Sequence, residues 1–431
     1  MKKKSKATIA ADAPSSDGGR STFLRRVIEE FSKEKGGGAY LVSDQTLIPI
    51  GIPFPAFVLE YLFGCTVLPF SRIYQIVGLQ GTVKSALTVE IARWFRALSG
   101  EVLYLEHESK FNPDYARSIL GWDDPQGMTL LKCHSINDWQ RKLQAAVRLA
   151  KEDAKERGSK AYPVLFIVDS ITAKAMEETQ EKIEKEGFAS RGFPAEALSI
   201  TRFMRQIPQQ LDEWPFMLLL VNHLKPNRND MGIVERHKAG GRGVDFQESC
   251  EIELSKHREW RLKRVNRTGR KYNIQLHKNA LGPDMRAISV EVWWWFEDVA
   301  DPATGESSYR QITVWDWHAA TVQFLANPPD EYRRRTKEII SFDTVQKREG
   351  MCVISPELGI TAKDPLTPSE AGAVLAQRED ILCQLRRLYG ISQWKPYQPQ
   401  VDYDQQLAAE KRRASPPAPD ENAEPAVEHD E

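Results

Sequence analysis

The sequence predicts an α/β fold in which helices cover both faces of a mainly parallel sheet. Two observations support this prediction: short apolar segments alternate with longer amphipathic ones, and a glycine-rich segment stands between an apolar run and a helix-like segment. Alternation of this kind is typical of parallel sheets, because each crossover helix packs back onto the sheet. We expect an N-terminal helix before this core, and a small C-terminal α/β extension with a disordered acidic tail after it.

The glycine-rich segment covers residues 78–85 and reads G-L-Q-G-T-V-K-S. It follows the apolar run at 73–77 and precedes a helix-like segment at 86–95. This order is typical of a phosphate-binding loop, whose backbone N–H groups wrap a polyphosphate while a helix N-terminus points at it. A glycine-rich turn in an ordinary α/β protein is the alternative. The residues expected to bind the phosphates are Gly78, Gly81, Thr82, Val83, Lys84, Ser85 and Ala86.

Two side chains of this loop carry specific roles. Lys84 is expected to reach the β- and γ-phosphates, and Ser85 is expected to ligate Mg²⁺. The usual pattern has glycine directly before the lysine, whereas this chain has Val83. If the position requires a positive φ, the valine is strained there.

Three further apolar segments, at 102–108, 164–170 and 216–223, read as buried strands that end in polar residues. Ligands of open α/β sheets collect at the carboxyl ends of the strands, so Glu108, Asp169 and His223 are expected to converge on the loop. Asp169 is then placed to hold the water shell of the magnesium ion. Each residue taken alone is equally well explained as a helix cap or a surface polar group.

Together these segments resemble the RecA/RadA recombinase superfamily, and the phage UvsX-type recombinases most closely. The resemblance runs from about residue 23 to about residue 294, and its most specific part is E-H-E-S-K-F-N-P-D-Y-A at 106–116. The resemblance implies a RecA-like P-loop ATPase core that binds ATP and Mg²⁺. It also implies that Glu108 orients or deprotonates the attacking water, and that Asn112 and Tyr115 contact adenine.

Two departures from most family members are shared with the UvsX type: Val83 before the lysine, and His223 after Asn222. The resemblance places His223 where a γ-phosphate sensor stands. Phosphoryl transfer needs positioning and charge neutralisation more than covalent help, so Lys84, Glu108 and His223 are the predicted catalytic residues.

DNA binding is predicted from two segments. Residues 224–241 are polar and too long for an ordinary connection, and they resemble the family's second DNA-binding loop. Residues 185–193 match the first loop in position, and their aromatic and arginine side chains could stack on bases. A solvated flexible loop is the alternative for each. The predicted DNA-binding residues are Phe188, Arg191, Phe193, Lys225, Arg228, Arg236, Lys238, Gly240, Gly241 and Arg242.

Two more basic features lie further along the chain. Residues 256–271 contain eight Lys or Arg among sixteen residues, which predicts a charged hairpin that forms either a DNA surface or a solvated face. Lys278 resembles a family lysine that reaches the ATP of the neighbouring subunit. Ala280 stands where a second such lysine is expected.

Composition is consistent with a large intracellular protein. The chain has 431 residues, 41% of them hydrophobic, and a net charge of −1. Its basic start has no apolar stretch behind it, and no run is long enough to span a membrane. The five cysteines lack metal-ligand spacing and fit a reduced cytoplasm.

The predicted boundaries are a disordered basic arm at 1–20, an N-terminal helix for oligomerisation at 21–44, the ATPase and DNA-binding core at 45–297, the C-terminal extension at 298–409 and the disordered acidic tail at 410–431. Within them we expect helices at 136–157, 194–211 and 369–389, and a hairpin at 308–325.

The function that the sequence predicts is an ATP-dependent recombinase. The resemblance implies self-association into helical filaments on single-stranded DNA, pairing with double-stranded DNA, strand exchange in recombination and repair, and a possible single-strand-binding protein or loader. One alternative is a weakly hydrolysing filament regulator or paralogue. The other is a hexameric helicase built on the same core.

Overall fold

A ten-stranded sheet forms the centre of the protein in the computed structural model. The structure describes residues 49–122, 124, 127–157, 162–171, 193–212, 214–228, 234–238, 242–264, 266–300, 305–347 and 350–398. The predicted N-terminal arm (1–20), N-terminal helix (21–44) and acidic tail (410–431) therefore lie outside the described residues.

The strands are β1 Ile50–Pro53, β2 Val67–Pro69, β3 Arg72–Gly78, β4 Glu101–Glu106, β5 Thr129–Lys132, β6 Val164–Asp169, β7 Phe216–Arg228, β8 Val234–Lys238, β9 Cys250–Arg264, β10 Arg267–Asn279, β11 Ala287–Ala300, β12 Ser307–Trp315, β13 Asp343–Lys347, β14 Gly350–Ile354 and β15 Lys395–Pro396. The helices are α1 Phe57–Phe63, α2 Lys84–Arg96, α3 Pro113–Leu120, α4 Ile136–Arg157, α5 Phe193–Met204, α6 Ile207–Leu211, α7 Arg242–Gln247, α8 Trp317–Ala326, α9 Asp330–Ile339, α10 Pro368–Leu375 and α11 Glu379–Leu388. A 3₁₀ turn covers Pro356–Leu358.

The central sheet has the order β12-β11-β10-β9-β3-β7-β6-β4-β5. Strands β9, β3, β7, β6, β4 and β5 pair in parallel, whereas β9 to β12 form an antiparallel meander and β8 pairs antiparallel with β7. The prediction of an α/β fold with a large, mostly parallel sheet is confirmed. Strand β3, which precedes the glycine-rich segment, lies in the middle of the sheet between β9 and β7.

Both faces of the sheet are covered by apolar side chains. Every residue of β6 is buried, and its side chains alternate between two hydrophobic clusters. Leu165 and Ile167 pack with α2 in one cluster, whereas Val164 and Phe166 pack with α4 in the other. A strand that is buried on both faces reads as a continuous apolar run, which is why β6 could be recognised in the sequence.

Two predicted helices are each broken in two. The segment expected at 194–211 forms α5 and α6, and Pro208 lies in the first turn of α6, where a missing N–H is tolerated. The segment expected at 369–389 forms α10 and α11. Glu379 and Asp380 occupy the first turn of α11, where negative charge favours a new helix start. The third predicted helix, α4, has the predicted bounds.

The hairpin predicted at 308–325 is wrong, because strand β12 is followed directly by helix α8. Asp316 is the N-cap of α8, and its carboxylate accepts a hydrogen bond from the backbone N–H of Ala319 at 2.9 Å. This cap satisfies one of the donors that a helix start leaves unpaired. The cap therefore decides between helix and second strand.

We expect Asp316→Ala to lower the free energy of unfolding by about 1 kcal/mol, because the α8 N-cap is lost. Asp316→Asn keeps a capping oxygen and should cost much less. Urea denaturation of both variants measures the difference. Equal losses in the two variants would contradict the capping role.

The segment at 224–241, predicted to be a loop, is largely strand in the described residues. Strand β7 continues to Arg228 and pairs with β8, so that Leu224 lies opposite Lys238. We call β7 from Leu224 onward together with β8 the ribbon. The hairpin expected at 256–271 is present. Strands β9 and β10 pair antiparallel, and Arg264 lies opposite Arg267 next to the turn.

The C-terminal elements pack on the start of the core. The guanidinium of Arg386 on α11 donates hydrogen bonds to both carboxylate oxygens of Glu60 on α1, at 2.7 and 2.8 Å. Strand β15 pairs with β1. None of the described helices has both the length and the apolar character needed to cross a membrane.

Candidate functional site

The glycine-rich segment joins the buried strand β3 to the start of α2. A Cβ at Gly78 would lie 2.6 Å from Thr82 Oγ1 and 2.7 Å from the carbonyl oxygen of Leu254, so only glycine fits there. Gly81 has φ +74°, a conformation that glycine adopts without steric cost. The loop is therefore shaped by glycine at two positions and ends at the N-terminus of a helix, as anion-binding loops do.

Val83 directly precedes α2 and has φ +53° and ψ +30°. This left-handed conformation is unfavourable for a β-branched residue. The position that the usual pattern fills with glycine therefore has a positive φ here, and the valine carries the strain.

Lys84 lies inside the curve of the loop and is largely buried. Its ammonium donates hydrogen bonds to the carbonyl oxygens of Gly78 at 3.1 Å and Leu79 at 3.0 Å. Burial lowers the pKa of Lys84, and the charges of Asp169 and Glu108 oppose that shift. A phosphate in the loop would supply the negative partner that the two carbonyls only partly replace.

Asp169 ends β6 and is 4% exposed. Its Oδ2 accepts hydrogen bonds from the hydroxyls of Ser85 and Tyr104, each at 2.5 Å. Its Oδ1 is buried and accepts no hydrogen bond from the residues that the structure describes. Burial raises the pKa of Asp169, and the hydrogen bonds from Ser85 and Tyr104 oppose that shift.

The Ser85 hydroxyl and the Asp169 carboxylate fit Mg²⁺, which prefers oxygen ligands and usually keeps several waters. The unpaired Oδ1 of Asp169 leaves one carboxylate oxygen for a cation or its water shell. Tyr104 was not among the predicted site residues. In the sequence, Tyr104 is marked only by its place on the strand that leads to Glu108. In the structure, Tyr104 is two residues before Glu106, which lies opposite Asp169.

Glu108 follows β4, and His223 lies on β7 at the edge where the parallel strands end. Nε2 of His223 forms a hydrogen bond with Oε1 of Glu108. Lys110 Nζ lies 3.6 Å from the other carboxylate oxygen. The hydrogen bond with His223 is the main cause that lowers the pKa of Glu108 to about 2, against the effect of burial. Glu108 is therefore ionised at neutral pH.

Replacing His223 should raise the pKa of Glu108 toward or above its ordinary value, because the main stabilising contact of the carboxylate is lost while its burial remains. A depressed pKa keeps the base ionised down to about pH 2, so His223→Ala should shift the acid limb of the hydrolysis profile to higher pH. The pH dependence of kcat/KM reports the free enzyme, in which His223 holds Glu108, so it measures the shift.

The matched control is His134→Ala, which removes an exposed histidine that follows β5. This variant should leave the acid limb where it is. An unchanged limb in His223→Ala would show that His223 does not set the pKa of Glu108.

Asn112 and Tyr115 lie at the start of α3. Asn112 is its N-cap, and Asn112 Oδ1 accepts a hydrogen bond from the backbone N–H of Tyr115 at 3.1 Å. The cap uses one lone pair of Oδ1, so the predicted adenine contact of Asn112 is compatible with it. The Tyr115 ring is 36% exposed and lines the cleft beside the loop.

An open cleft of about 1740 Å³ brings most of the predicted nucleotide-binding residues together. It also contains Arg270 on β10, a cation of the predicted basic hairpin. Asn112 and Asp169 line an adjoining cavity of about 480 Å³ that shares Ser85, Glu108 and Tyr115 with the cleft. The cleft is lined by Leu79, Gln80, Gly81, Thr82, Val83, Lys84, Ser85, Ala86, Glu108, Lys110, Tyr115, His223, Leu224 and Arg270.

The structure does not describe most of the predicted DNA-binding side chains. Phe188, Arg191, Gly240 and Gly241 lie outside the described residues. The backbone places Phe193 at the start of α5, Lys225 and Arg228 on β7, Arg236 on β8, and Arg242 at the start of α7.

Lys238 is the exception, and its surroundings differ from the prediction. We expected it to neutralise DNA phosphates. Instead its ammonium lies 2.5 Å from Asp245 Oδ1 and 3.7 Å from Glu248 Oε1, and it also contacts Glu251. Three nearby carboxylates hold this charge inside the protein, with 18% of the side chain exposed, so Lys238 does not present its charge to DNA in this conformation.

Lys278 was predicted to reach the ATP of a neighbouring subunit. Its ammonium donates a hydrogen bond to the carbonyl oxygen of Asp245. It is not among the residues that line this chain's cleft. The neighbouring-subunit role stays a prediction.

The chain is similar to RecA proteins at low identity. It is 21% identical over 276 residues to Protein RecA of Streptomyces coelicolor, covering 63% of this chain and 69% of that protein. It is 20% identical over 329 residues to Protein RecA of Levilactobacillus brevis, covering 72% and 82%, and 21% identical over 274 residues to Protein RecA of Cytophaga hutchinsonii, covering 63% and 72%. No family model matches the chain.

Proposed function

We propose that this protein is a DNA-dependent ATPase of the recombinase type. The observation that carries the proposal is the arrangement of Lys84, Ser85, Asp169 and Glu108 around one glycine-shaped loop, at the carboxyl edge of a parallel sheet. Phosphoryl transfer needs a phosphate cradle, a cation, metal ligands and a group that positions water, and these residues supply each of them. The similarity to RecA proteins supports ATP among nucleotides and DNA as the partner.

The residues of the chain have distinct roles in this proposal. The loop amides and Lys84 bind the phosphates, and Ser85 and Asp169 hold Mg²⁺, which supplies charge neutralisation when it is bound with ATP. Glu108 is ionised, so it can accept a hydrogen bond or a proton from the attacking water. Tyr104 donates to Asp169 and thereby favours its ionised, metal-binding form.

His223 links hydrolysis to the ribbon. It lies one residue before Leu224, where the ribbon begins, and it holds Glu108 by a hydrogen bond. A γ-phosphate would compete with Glu108 for the N–H of His223, because both are anionic acceptors. Release of Glu108 toward water and movement at the base of the ribbon would then occur together.

The DNA surface in this proposal is the ribbon and the hairpin of β9 and β10. The hairpin exposes several cations, and contacts of this kind to phosphates give sequence-independent, salt-dependent binding. Assembly into filaments on single-stranded DNA, strand exchange with duplex DNA, kinship to the UvsX type and a loader or single-strand-binding partner belong to the same proposal. The exposed cations of the hairpin are Lys256, Arg258, Arg261, Lys263 and Arg267.

A regulator that binds ATP and hydrolyses it slowly is the second candidate. It is favoured by the left-handed backbone of Val83, because strain in the loop can alter the position of the phosphates. This candidate predicts nucleotide binding without turnover that DNA stimulates.

The test is ATP hydrolysis with and without single-stranded DNA, with negative-stain electron microscopy of the same samples. The recombinase proposal predicts DNA-stimulated turnover and helical filaments. Filaments with no stimulated turnover would favour the regulator. Closed rings that unwind duplex DNA would overturn both candidates in favour of a helicase.

Neutralising two arginines of the ribbon and one at the start of α7 should weaken DNA binding. We expect the triple variant Arg228→Ala, Arg236→Ala and Arg242→Ala to bind single-stranded DNA less tightly and to reduce the salt dependence of binding by up to about two to three counterions. Fluorescence anisotropy at several salt concentrations measures both effects. A triple exchange at Arg141, Arg148 and Arg334, which are exposed helix residues, is the control. Equal effects in both triples would remove the ribbon and the start of α7 from the DNA surface.

A further inference from the structure

A second polar cluster lies apart from the nucleotide cleft. Asp245 and Glu248 are on or directly after α7, and Glu251 is on β9. One carboxylate oxygen from each of the three lies within 4.8 Å of the others. We call these three residues the acid cluster. The ammonium of Lys238, from β8, is placed against all three carboxylates.

The carboxylate of Glu248 lacks hydrogen-bond donors among the described residues. Glu248 is 3% exposed, and neither of its carboxylate oxygens accepts a hydrogen bond from the residues that the structure describes. The ammonium of Lys238 is 3.7 Å away, which is beyond hydrogen-bond distance. A buried carboxyl group without donors is costly, so the position has an unused binding capacity.

Gln75 on β3 is a second polar side chain with this property. It is fully buried, and neither atom of its carboxamide has a hydrogen-bond partner among the described residues. Gln75 and Glu251 are in register on parallel strands, so their side chains project from the same face of the sheet. Ile73, two residues earlier on that face, packs in one hydrophobic cluster with Val244 of α7. Gln75 therefore projects from the face that α7 covers.

We propose that the acid cluster is a divalent-cation site, that the carboxamide oxygen of Gln75 is its neutral ligand, and that Lys238 occupies the site in the cation-free protein. All the donors are oxygens, which select hard cations such as Mg²⁺, Ca²⁺ or Mn²⁺ over thiophilic metals. The ammonium of Lys278 also lies beside the cluster, bonded to the carbonyl oxygen of Asp245, so three ionised carboxylates exceed the two ammoniums by one negative charge. A doubly charged ion in place of Lys238 removes that excess. The cation and Lys238 exclude each other, because both need the space between the same oxygens.

This exchange would make the contacts of Lys238 at the base of the ribbon depend on the cation concentration. Lys238 lies opposite Leu224 at the ribbon base, so a cation that displaces its ammonium removes the ion pairs between β8 and the acid cluster. Lys238 would then be free to turn outward. This consequence for DNA binding rests on the proposed function, but the cation site itself does not.

The experiment measures Mn²⁺ alone with nucleotide-free, full-length protein, using electron paramagnetic resonance of free Mn²⁺. All samples carry Asp169→Asn, which removes a carboxylate of the phosphate-loop site. In that background Lys238→Met should bind Mn²⁺ at least tenfold more tightly than the protein with Lys238. Adding Glu248→Gln should abolish the gain. Lys347→Met removes an exposed lysine on β13 and should leave the Mn²⁺ affinity unchanged.

Two results would overturn the proposal. One is Mn²⁺ affinity that stays the same in a natively folded Lys238→Met variant, with folding checked by circular dichroism. The other is a gain that survives Glu248→Gln, since the ion would then be bound elsewhere. Because no ATP or DNA is present, neither result bears on the proposed function.

A second comparison decides the question if Lys238→Met does not fold. Glu248→Gln preserves the size and shape of the side chain. At saturating Mn²⁺ the protein with Glu248 should bind one more ion per chain than Glu248→Gln. Equal stoichiometry would overturn the proposal.

Discussion

Lys84→Ala is expected to lower ATP affinity by about a hundredfold or more, because the variant loses charge-assisted hydrogen bonds to phosphate. Such bonds contribute about 1.5–3 kcal/mol each, and 1.4 kcal/mol corresponds to a factor of ten. The ammonium already lies inside the loop, where it donates to the carbonyl oxygens of Gly78 and Leu79. It needs little rearrangement to bind a phosphate, so little binding free energy is lost to fixing the lysine side chain. Nucleotide-dependent assembly should disappear with the affinity.

Titration with a fluorescent ATP analogue measures this loss. Lys110→Ala is the matched control, since Lys110 lines the same cleft but its side chain is 72% exposed. An exposed lysine contributes little, so this variant should lose less than about fivefold. If the two variants lose affinity equally, the loop does not bind the phosphates as proposed. Circular dichroism of each variant separates this outcome from unfolding.

Glu108→Gln is expected to keep ATP affinity and to slow hydrolysis by about a hundredfold to ten-thousandfold. The glutamine has the size of glutamate and can still accept a hydrogen bond from His223, but it cannot accept a proton from water. Removing a negative charge beside the phosphates should leave nucleotide binding equal or tighter. The protein should therefore remain in its ATP-bound form and dissociate from DNA slowly.

Single-turnover hydrolysis and nucleotide titration of the same sample measure the two effects. Glu101→Gln, at the other end of β4 with about half of its side chain exposed, is the control and should hydrolyse ATP normally. Equal loss of ATP affinity in Glu108→Gln and Lys84→Ala would defeat the assignment of Glu108 as the residue that positions water. It would show instead that Glu108 contributes to nucleotide binding.

Local patterns predicted the order of strand, glycine-rich loop and helix correctly. The run of apolar residues at 73–77 predicted β3, and glycine at positions 78 and 81 is required by a close contact and a positive φ. Helix α4 was predicted with its exact bounds. The apolar spacing and the end residues that define it all lie within the same stretch of sequence. In these cases the interactions that decide the structure lie near one another in the chain.

Predictions were wrong where a local signal allowed two structures. The segment at 308–325 has apolar residues that suit either a strand or a helix, and the cap at Asp316 decides for the helix. The polar segment at 224–241 reads as a loop, but β7 extends into it and pairs with β8. Pairing between strands is a contact between distant backbone groups, so polarity alone does not reveal it.

The sequence by itself determined the α/β class, the order of the parallel strands along the chain, the glycine-rich loop after β3, and the polar residues that follow the apolar runs of β4, β6 and β7. Only the tertiary structure decided which side chains meet. It paired Tyr104 with Asp169 and His223 with Glu108, brought Arg270 into the cleft, and placed Lys238 among three carboxylates. A residue's charge is readable in the chain, but its partner depends on sheet register and helix placement, which bring together residues that are far apart in sequence.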